Sequence, residues 1–416
     1  MPESTALITN DAVVLGLLMA ILAFVFHTSH SDSPRWKKFY KYVPSLLLCY
    51  FIPSIFNSLG IISGDESRLY FVASRYLLPA CLVLLTLSID LPGILRLGPK
   101  ALIMFFTATA GIIIGGPLAV VIVGWINPEI VGGQGPEAVW RGLATVAGSW
   151  IGGGANMAAM KEVFEVGDRL FSQMIAVDVL VANVWMAVLL YMAGRSKAID
   201  AKAGADVSAI DALRDKVAAY QSSITRIPQL PDTMKVAAVG FGVTGIAHLG
   251  ADTIAPWIAE VAPGLARLSL TSGFFWIVVI ATTGGLLLSF TRLRQLEGVG
   301  ASRMGSAFLY VLVATIGMKM DIGAIFDAPW LFLIGGIWLA FHGILLLVVA
   351  RLIRAPLFFL AVGSQANVGG AASAPIVASA FHPALAPVGV LLAVLGYALG
   401  TYCAWICAHL MRIVAS

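Results

Sequence analysis

Long apolar runs alternate along the chain with short polar interruptions, and several runs reach the length of about 18 residues that marks a membrane-crossing helix. The pattern predicts spans over residues 12–26, 42–62, 76–89, 101–126, 142–164 and 170–192, and again over 234–250, 271–290, 307–318, 330–350, 357–380 and 385–411. Between the two sets, residues 195–232 are too charged to cross lipid, and Ile199, Val207, Ile210, Leu213 and Val217 have the spacing of an amphipathic surface helix. The chain therefore divides into a first transmembrane repeat (1–194), a polar linker (195–232) and a second transmembrane repeat (233–416). Residues 251–268 offer a further, proline-containing pass, which sets the expected number of transmembrane helices at 12 or 13. The run 12–26 follows Glu3 and Asp11 rather than a basic stretch, so it reads as a retained first helix.

Composition agrees with an all-α polytopic membrane protein. Of the 416 residues, 59% are hydrophobic and 12% carry a charge, about half the charged share of a soluble domain. That balance excludes a soluble enzyme, a nucleic-acid binder and a disulfide-stapled secreted module. The net charge of +4 is spread over short loops and reports topology, not an anionic partner. Cys49, Cys81, Cys403 and Cys407 sit in apolar runs without Cys-x-x-Cys spacing, and read as packing residues. The six histidines form no metal-binding cluster, so an intramembrane metalloprotease lacks its ligands.

The two halves share words. Leu87-Ser-Ile-Asp90 returns as Met318-Lys-Met-Asp321, and Gly148-Ser149-Trp-Ile-Gly-Gly-Gly-Ala-Asn156 as Gly363-Ser364-Gln-Ala-Asn367-Val-Gly-Gly-Ala. Arg35, Lys37, Lys38 and Lys41, with Arg96 and Lys100, place their loops in the cytoplasm and the N-terminus outside. Arg292, Arg294, Arg303, Arg351 and Arg354 then make the Asp321 element point the opposite way to the Asp90 element. Inverted repeats follow, and they require an odd number of crossings between matching spans. A second pass within 234–268 would supply the odd one, and the C-terminus would be cytoplasmic.

Inverted repeats whose matching spans are broken by glycine mark an alternating-access transporter with its site at mid-membrane. Gly152, Gly153 and Gly154, and Gly369 and Gly370, let the chain leave helical geometry and free backbone groups that lipid cannot satisfy. Around them, Ser149, Gly153, Gly154, Ser364, Gln365, Asn367, Gly369, Gly370 and Ser373 form the candidate solute site. Small residues for close helix packing are the alternative, but Gln365 and Asn367 are long amides whose burial asks for partners. Asp178 is a lone carboxylate within a span, and facing lipid it would cost about 2.5 kcal/mol or more. It is the candidate coupling residue, with Asn183 and Asn156 beside it, and a sodium ion is expected at Asp178, Asn156 and Gln365. A structural acid capping a neighbouring helix is the plainer reading. Lys161 and Glu165 read as an i, i+4 pair at a solvated helix end, and Asp90 and Asp321 as caps, with Lys319 a local partner of Asp321. Gly111 and Gly115 read as a packing motif, and Trp125, Trp140 and Trp330 as interface anchors.

The words at Gly148 and Gly363 and the Leu-Ser-Ile-Asp element resemble YjcL-like bacterial membrane proteins, a family of unknown function, over nearly the whole chain. That family is remotely similar to the superfamily of cation:proton antiporters and anion:sodium symporters. The resemblance implies a core domain with two crossed, broken helices, over 142–164 and 357–380, and a panel domain. It places Asp178 on the helix that carries ion-binding aspartates in exchangers. Exchangers show paired acids or Asn-Asp there, whereas Val177 precedes Asp178, and symporters use amides like Asn156, Gln365 and Asn367. The expected function is sodium- or proton-coupled symport of a small anionic organic solute such as a carboxylate, amino acid or short peptide. A cation/proton antiporter is the alternative, with an intramembrane enzyme or permease subunit further behind. No enzymatic activity and no cofactor beyond the transported ion are expected. The expected partners are the solute, membrane lipid and a second copy of the chain as a homodimer, without nucleic acid, in a bacterial inner membrane.

Overall fold

The computed structural model of the chain describes residues 6–40, 43–205, 227–320 and 323–415. Apart from one parallel bridge between Ile8 and Ile62, the described residues form helices and loops. Helices satisfy every backbone polar group within the segment, which lipid demands. The main helices are α1 (Asp11–Ser29), α2 (Ser45–Ser58), α3 (Leu69–Leu87), α4 (Pro99–Ile126), α5 (Val139–Val163), α6 (Asp168–Ala193) and α7 (Ser196–Ala203) in the first half and linker. The second half adds α8 (Leu230–Val261), α9 (Gly273–Ser289), α10 (Ala301–Gly317), α11 (Pro329–Leu352), α12 (Leu357–Val368), α13 (Gly370–Phe381) and α14 (Ala386–Ala415). Among the described residues seven helices are each long and apolar enough to cross a membrane, and bent pairs raise the number to nine.

Polar contacts sort the helix ends into two ends of the bundle. At one end Ser67 donates to Asp11 (2.7 Å), Lys161 pairs with Asp168 (2.8 Å), Lys319 lies 3.6 Å from Asp168, and Arg169 pairs with Asp327 (2.7 Å). His409 packs on Phe164 at the same end, and Arg412 donates to the Arg267 carbonyl. At the other end Arg294 pairs with Asp90 (2.6 Å), Ser88 donates to Glu297 (2.6 Å) and Lys100 donates to the Arg354 carbonyl (3.0 Å). Between these ends α1, α2, α3, α4 and α6 alternate in direction, and so do α8, α9, α10, α11 and α14. The first and last helices thus leave their outer ends, Asp11 and Arg412, on the same side.

The segments broken by glycine do not cross as spans. In α5 the chain reverses at Gly153 (φ 72°, ψ −177°), so that Arg141 donates to the Phe164 carbonyl and the rings of Trp140 and Phe164 lie 5.5 Å apart. In the second half Gly369 and Gly370 (φ 58° at Gly370) separate α12 from α13, which fold back until Phe358 and Phe381 are 5.4 Å apart. Both are re-entrant helical hairpins, one opening at each end of the bundle. Crossed helices give way to hairpins because a backbone at positive φ turns the chain back, where a kink at helical φ would only bend it.

This geometry also replaces the extra pass expected within 234–268. Helix α8 runs unbroken for 32 residues through Pro256, followed by a 3-10 turn at Pro263–Leu268. Since the hairpins do not cross, five passes separate them (α6, α8, α9, α10 and α11), which is the odd number. Against the expected 12 or 13 transmembrane helices, the described residues hold seven helices able to cross, nine with the bent pairs, together with the shorter apolar α10 and the two hairpins.

Several local readings change with the packing. Lys161 is buried and pairs with Asp168 rather than Glu165, because α5 ends at Val163 and Glu165 takes a left-handed backbone (φ 50°). Asp90 makes no side-chain cap and pairs with Arg294 instead, and Lys319 meets Asp65 and Asp168. Asp321 lies outside the described residues, as do Val207, Ile210, Leu213 and Val217 of the linker. Asp200 of α7 accepts the Leu357 backbone N–H (2.8 Å) at the uncapped start of α12, which ties the linker to the second hairpin. Burial pushes the Asp200 carboxyl up, and the Leu357 N–H opposes that shift. Gly111 and Gly115 are packing positions: a Cβ at Gly115 would come 2.7 Å from the Trp338 ring of α11. The four cysteines are free, and Trp125 and Trp330 are exposed.

Candidate functional site

The two hairpin tips meet. A Cβ on Gly370 would lie 3.7 Å from the Gly153 Cα, and the Tyr397 ring of α14 borders both glycines. Helix α13 starts there without a side-chain cap, and Ala372 is exposed beside partly exposed Ser373 and Gly369. Unpaired N–H groups at such a helix start carry partial positive charge and favour an anion. Across the second tip, Gln365 donates its Nε2 hydrogen to Ser373 Oγ (2.7 Å). Its buried carbonyl oxygen Oε1 has no partner. A buried amide oxygen without a donor costs about 1–3 kcal/mol, so it suits a cation or a ligand donor.

Asp178 lies on α6 against the first hairpin. It is buried, and its carboxylate accepts a hydrogen bond from Ser149 Oγ (2.8 Å). The Trp150 indole N–H lies near the same carboxylate but outside hydrogen-bond geometry. No ring of three or more acidic, histidine or cysteine ligands occurs among the described residues. Asp178 and Ser149 instead offer one carboxylate and one hydroxyl as hard oxygen donors.

The sequence-derived cluster is only partly assembled. Ser149 and Asp178 are together, and so are Gln365, Ser373, Gly369, Gly370 and Gly153, with Gly154 just beyond the first tip. Asn183 donates to the Val179 carbonyl of its own helix (2.6 Å). Asn156 donates to the Gly152 (2.9 Å) and Tyr397 (3.2 Å) carbonyls and accepts from Thr401 (2.7 Å). Asn367 repeats this device: it donates to the Gly363 (3.0 Å) and Phe105 (3.3 Å) carbonyls and accepts from Thr109 (2.8 Å). The two asparagines thus clamp the first hairpin to α14 and the second to α4, without a hydrogen bond to Asp178. Ser364 is held by Trp185 and His342, each at 2.8 Å.

These clamps give a direct expectation. Thr401→Val removes the donor to a buried amide oxygen and should destabilise the protein by about 1–3 kcal/mol. A lowered melting temperature in detergent checks it, and Thr109→Val should do the same at the second hairpin. Thr109, Thr401 and Tyr397 went unnoticed in the sequence because each sits in an apolar run. The sequence separations of 258 residues for Thr109–Asn367 and 245 for Thr401–Asn156 hide the pairing from any local pattern.

Two open clefts, of about 350 and 500 Å³, lie away from the tips, at the Lys161 end. Arg75 and Phe274 line both, and Glu162 holds Arg75 at 2.9 Å. Arg75 stands in a π-helical turn of α3, Ala73–Leu77, whose Arg75 carbonyl bonds His248 Nε2 (2.8 Å).

Fold and site together define an all-α polytopic membrane protein built around two glycine-tipped hairpins. The chain belongs to the family described as a protein of unknown function (DUF819), whose model matches residues 16–414. It is similar to the uncharacterized membrane protein YjcL of Bacillus subtilis (strain 168), 23% identical over 364 residues, covering 84% of this chain and 85% of that protein.

Proposed function

We propose that this chain is a secondary active transporter that couples import of a small anionic organic solute to a cation by alternating access. The observation that carries the reading is the meeting of Gly153 and Gly370 at the hairpin tips, beside the uncapped start of α13 and the orphaned Gln365 oxygen. Hairpins opening at opposite ends, with five passes between them, support inverted repeats. The tips hold the solute, a carboxylate, amino acid or short peptide, and Asp178 with Ser149 holds sodium or a proton. The hairpins with α6 and α14 form the moving core, and α2, α3, α9 and α10 the panel. Arg35, Lys37, Lys38, Arg96, Lys100, Arg292, Arg294, Arg351 and Arg354 cluster at the Arg294 end, which makes that end cytoplasmic and both termini external, in a bacterial inner membrane. The working unit is a homodimer, and the transported ion is the only cofactor.

Purified protein screened by thermal shift tests this reading. Small carboxylates, amino acids or short peptides should raise the melting temperature, and more so with sodium. Vesicles with an internal pH dye provide the contrary outcome: salt-driven proton movement without any organic solute would make the chain a cation/proton antiporter. Gln365→Ala should weaken the apparent affinity for solute or cation by roughly 10- to 100-fold, the equivalent of one hydrogen bond to a charged group. Unchanged affinities for both would move the site away from the second tip.

A further inference from the structure

The cleft of about 350 Å³ at the Lys161 end lies on the flank of the bundle where α3, α8 and α9 meet. Its surroundings are apolar and exposed. Phe71 and Tyr76 of α3 are 56% and 45% exposed, and on α8 the exposed Leu249 and Trp257 stand on either side of Asp252 in the chain. Large apolar groups on the outside of membrane-crossing helices face lipid, and tyrosine and tryptophan gather at the level of the headgroups. The cleft has that depth, because α9 begins at Gly273 on its wall.

Polar groups of both signs enter this apolar setting. Arg75 is the one charged residue of α3, and a charge in an apolar span calls for partners. Glu162 accepts from its Nη1 at 2.9 Å, and the guanidinium lies 4.4 Å over the Phe274 ring. A guanidinium carries several N–H donors in a planar fork that suits phosphate, so Arg75 keeps donors for a second anion. The Arg75 carbonyl is held by His248 Nε2 (2.8 Å), which ties α3 to α8 and fixes the spacing of the two walls. One turn after His248, Asp252 is exposed in the same cleft and has no ion-pair partner among the described residues. A carboxylate on an apolar helix face is costly without a cation. The Phe71 and Tyr76 rings, 6.4 Å apart, add aromatic faces that attract one.

Spare cationic donors, an unpaired carboxylate beside aromatic faces and an exposed apolar rim are the complement of a phosphate, an ammonium and acyl chains. We infer that this cleft binds one aminophospholipid of the adjoining leaflet, of the phosphatidylethanolamine class. The phosphate meets Arg75, the ammonium meets Asp252 and the Tyr76 ring, and the chains lie along Phe71 and Leu249. A phospholipid without an amine sets its anion against Asp252, so the same carboxylate selects against anionic lipid. A soluble molecule with the same headgroup lacks the chains and forfeits the apolar rim. The inference stands apart from the transport reading, since it concerns the flank of α3, α8 and α9 and not the hairpin tips.

The test is native mass spectrometry of the delipidated full-length protein in detergent, titrated separately with phosphatidylethanolamine, phosphatidylglycerol and soluble glycerophosphoethanolamine. The expected result is one phosphatidylethanolamine per chain, held about tenfold more tightly than phosphatidylglycerol and not displaced by glycerophosphoethanolamine. Asp252→Asn, at an exposed position that leaves the fold intact, should erase that preference by weakening phosphatidylethanolamine alone. Arg75→Lys keeps the charge beside Glu162 but loses the fork, so it should weaken both lipids. Equal affinity for the two lipids in wild type would overturn the inference, and so would an Asp252→Asn variant that keeps the preference. Displacement by glycerophosphoethanolamine would overturn it too, and would make the cleft a site for a soluble zwitterion. A second copy of the chain seated on this face, seen as an Asp252→Cys disulfide between chains in place of bound lipid, would likewise reject it.

Discussion

Asp178→Asn should abolish sodium-dependent stabilisation of the purified protein while leaving it folded. A buried carboxylate in a span is costly, about 2.5–3.5 kcal/mol at a helix centre, so its retention calls for a compensating partner. The Ser149 hydroxyl supplies one hydrogen bond, and the adjacent Trp150 N–H lies close by, but neither brings a positive charge. A cation does. Asparagine keeps the size of the side chain and an oxygen for Ser149, so the hairpin contact survives while the charge proposed to bind the cation is gone. At sodium a hundredfold above its dissociation constant, wild type gains about 2.7 kcal/mol by mass action, and the variant should gain none. The measurement is melting temperature across a sodium titration, with a large organic cation holding ionic strength constant. Equal sodium responses in wild type and variant would remove Asp178 from the cation site. Absence of a sodium response in both, with a response to pH, would assign the coupling to protons.

Much of this architecture is legible in the chain, and the gap has a physical cause. Hydropathy locates the apolar segments, since burial in lipid is a property of composition along one segment, but the spans over 76–89, 234–250 and 307–318 stop well short of one end of α3 (Leu69–Leu87), α8 (Leu230–Val261) and α10 (Ala301–Gly317). The Gly-Ser words locate both hairpins, because reversal needs residues that accept positive φ, and Gly153 and Gly370 do. The first hairpin has the length of a span but is less apolar than the crossing helices, and the contact of Arg141 with Phe164 shows that both its ends emerge together. The charge bias of the loops demanded an odd count between the halves, and the hairpins meet that demand where α8, continuous through Pro256, does not. Side-chain roles were the least legible. Asn156 and Asn367 look like free ligands in sequence, yet their hydrogen-bonding capacity is taken up by Thr401, Thr109 and distant carbonyls. Asp178 and Gln365 keep their interest for the opposite reason: among the described residues one is a carboxyl group without an ion-pair partner, the other an oxygen without a donor.

Gly153→Ala should be clearly damaging, and its damage should concentrate at the site. The backbone there, φ 72° with ψ −177°, belongs to a region that side chains other than glycine's avoid, which costs about 1–3 kcal/mol. The added methyl would also stand 3.2 Å from the Tyr397 ring, tight enough that the ring or the tip must give. Gly370→Ala is sterically milder. Its φ is 58°, and its methyl would meet Gly153 at 3.7 Å, normal contact. Gly16 in α1 sets the baseline, because nothing lies within 4 Å of a methyl there and alanine is the better helix former by about 1 kcal/mol. Melting temperatures should therefore fall in the order Gly16→Ala, Gly370→Ala, Gly153→Ala, from slightly raised to clearly lowered. On the proposed reading the solute-dependent shift should weaken in the two tip variants and persist in Gly16→Ala, because there only the tips would present backbone groups to the solute. A Gly153→Ala variant that melts like Gly16→Ala and still responds to solute would show that the first tip tolerates a side chain, and the site would then have to be sought away from the junction of the hairpins.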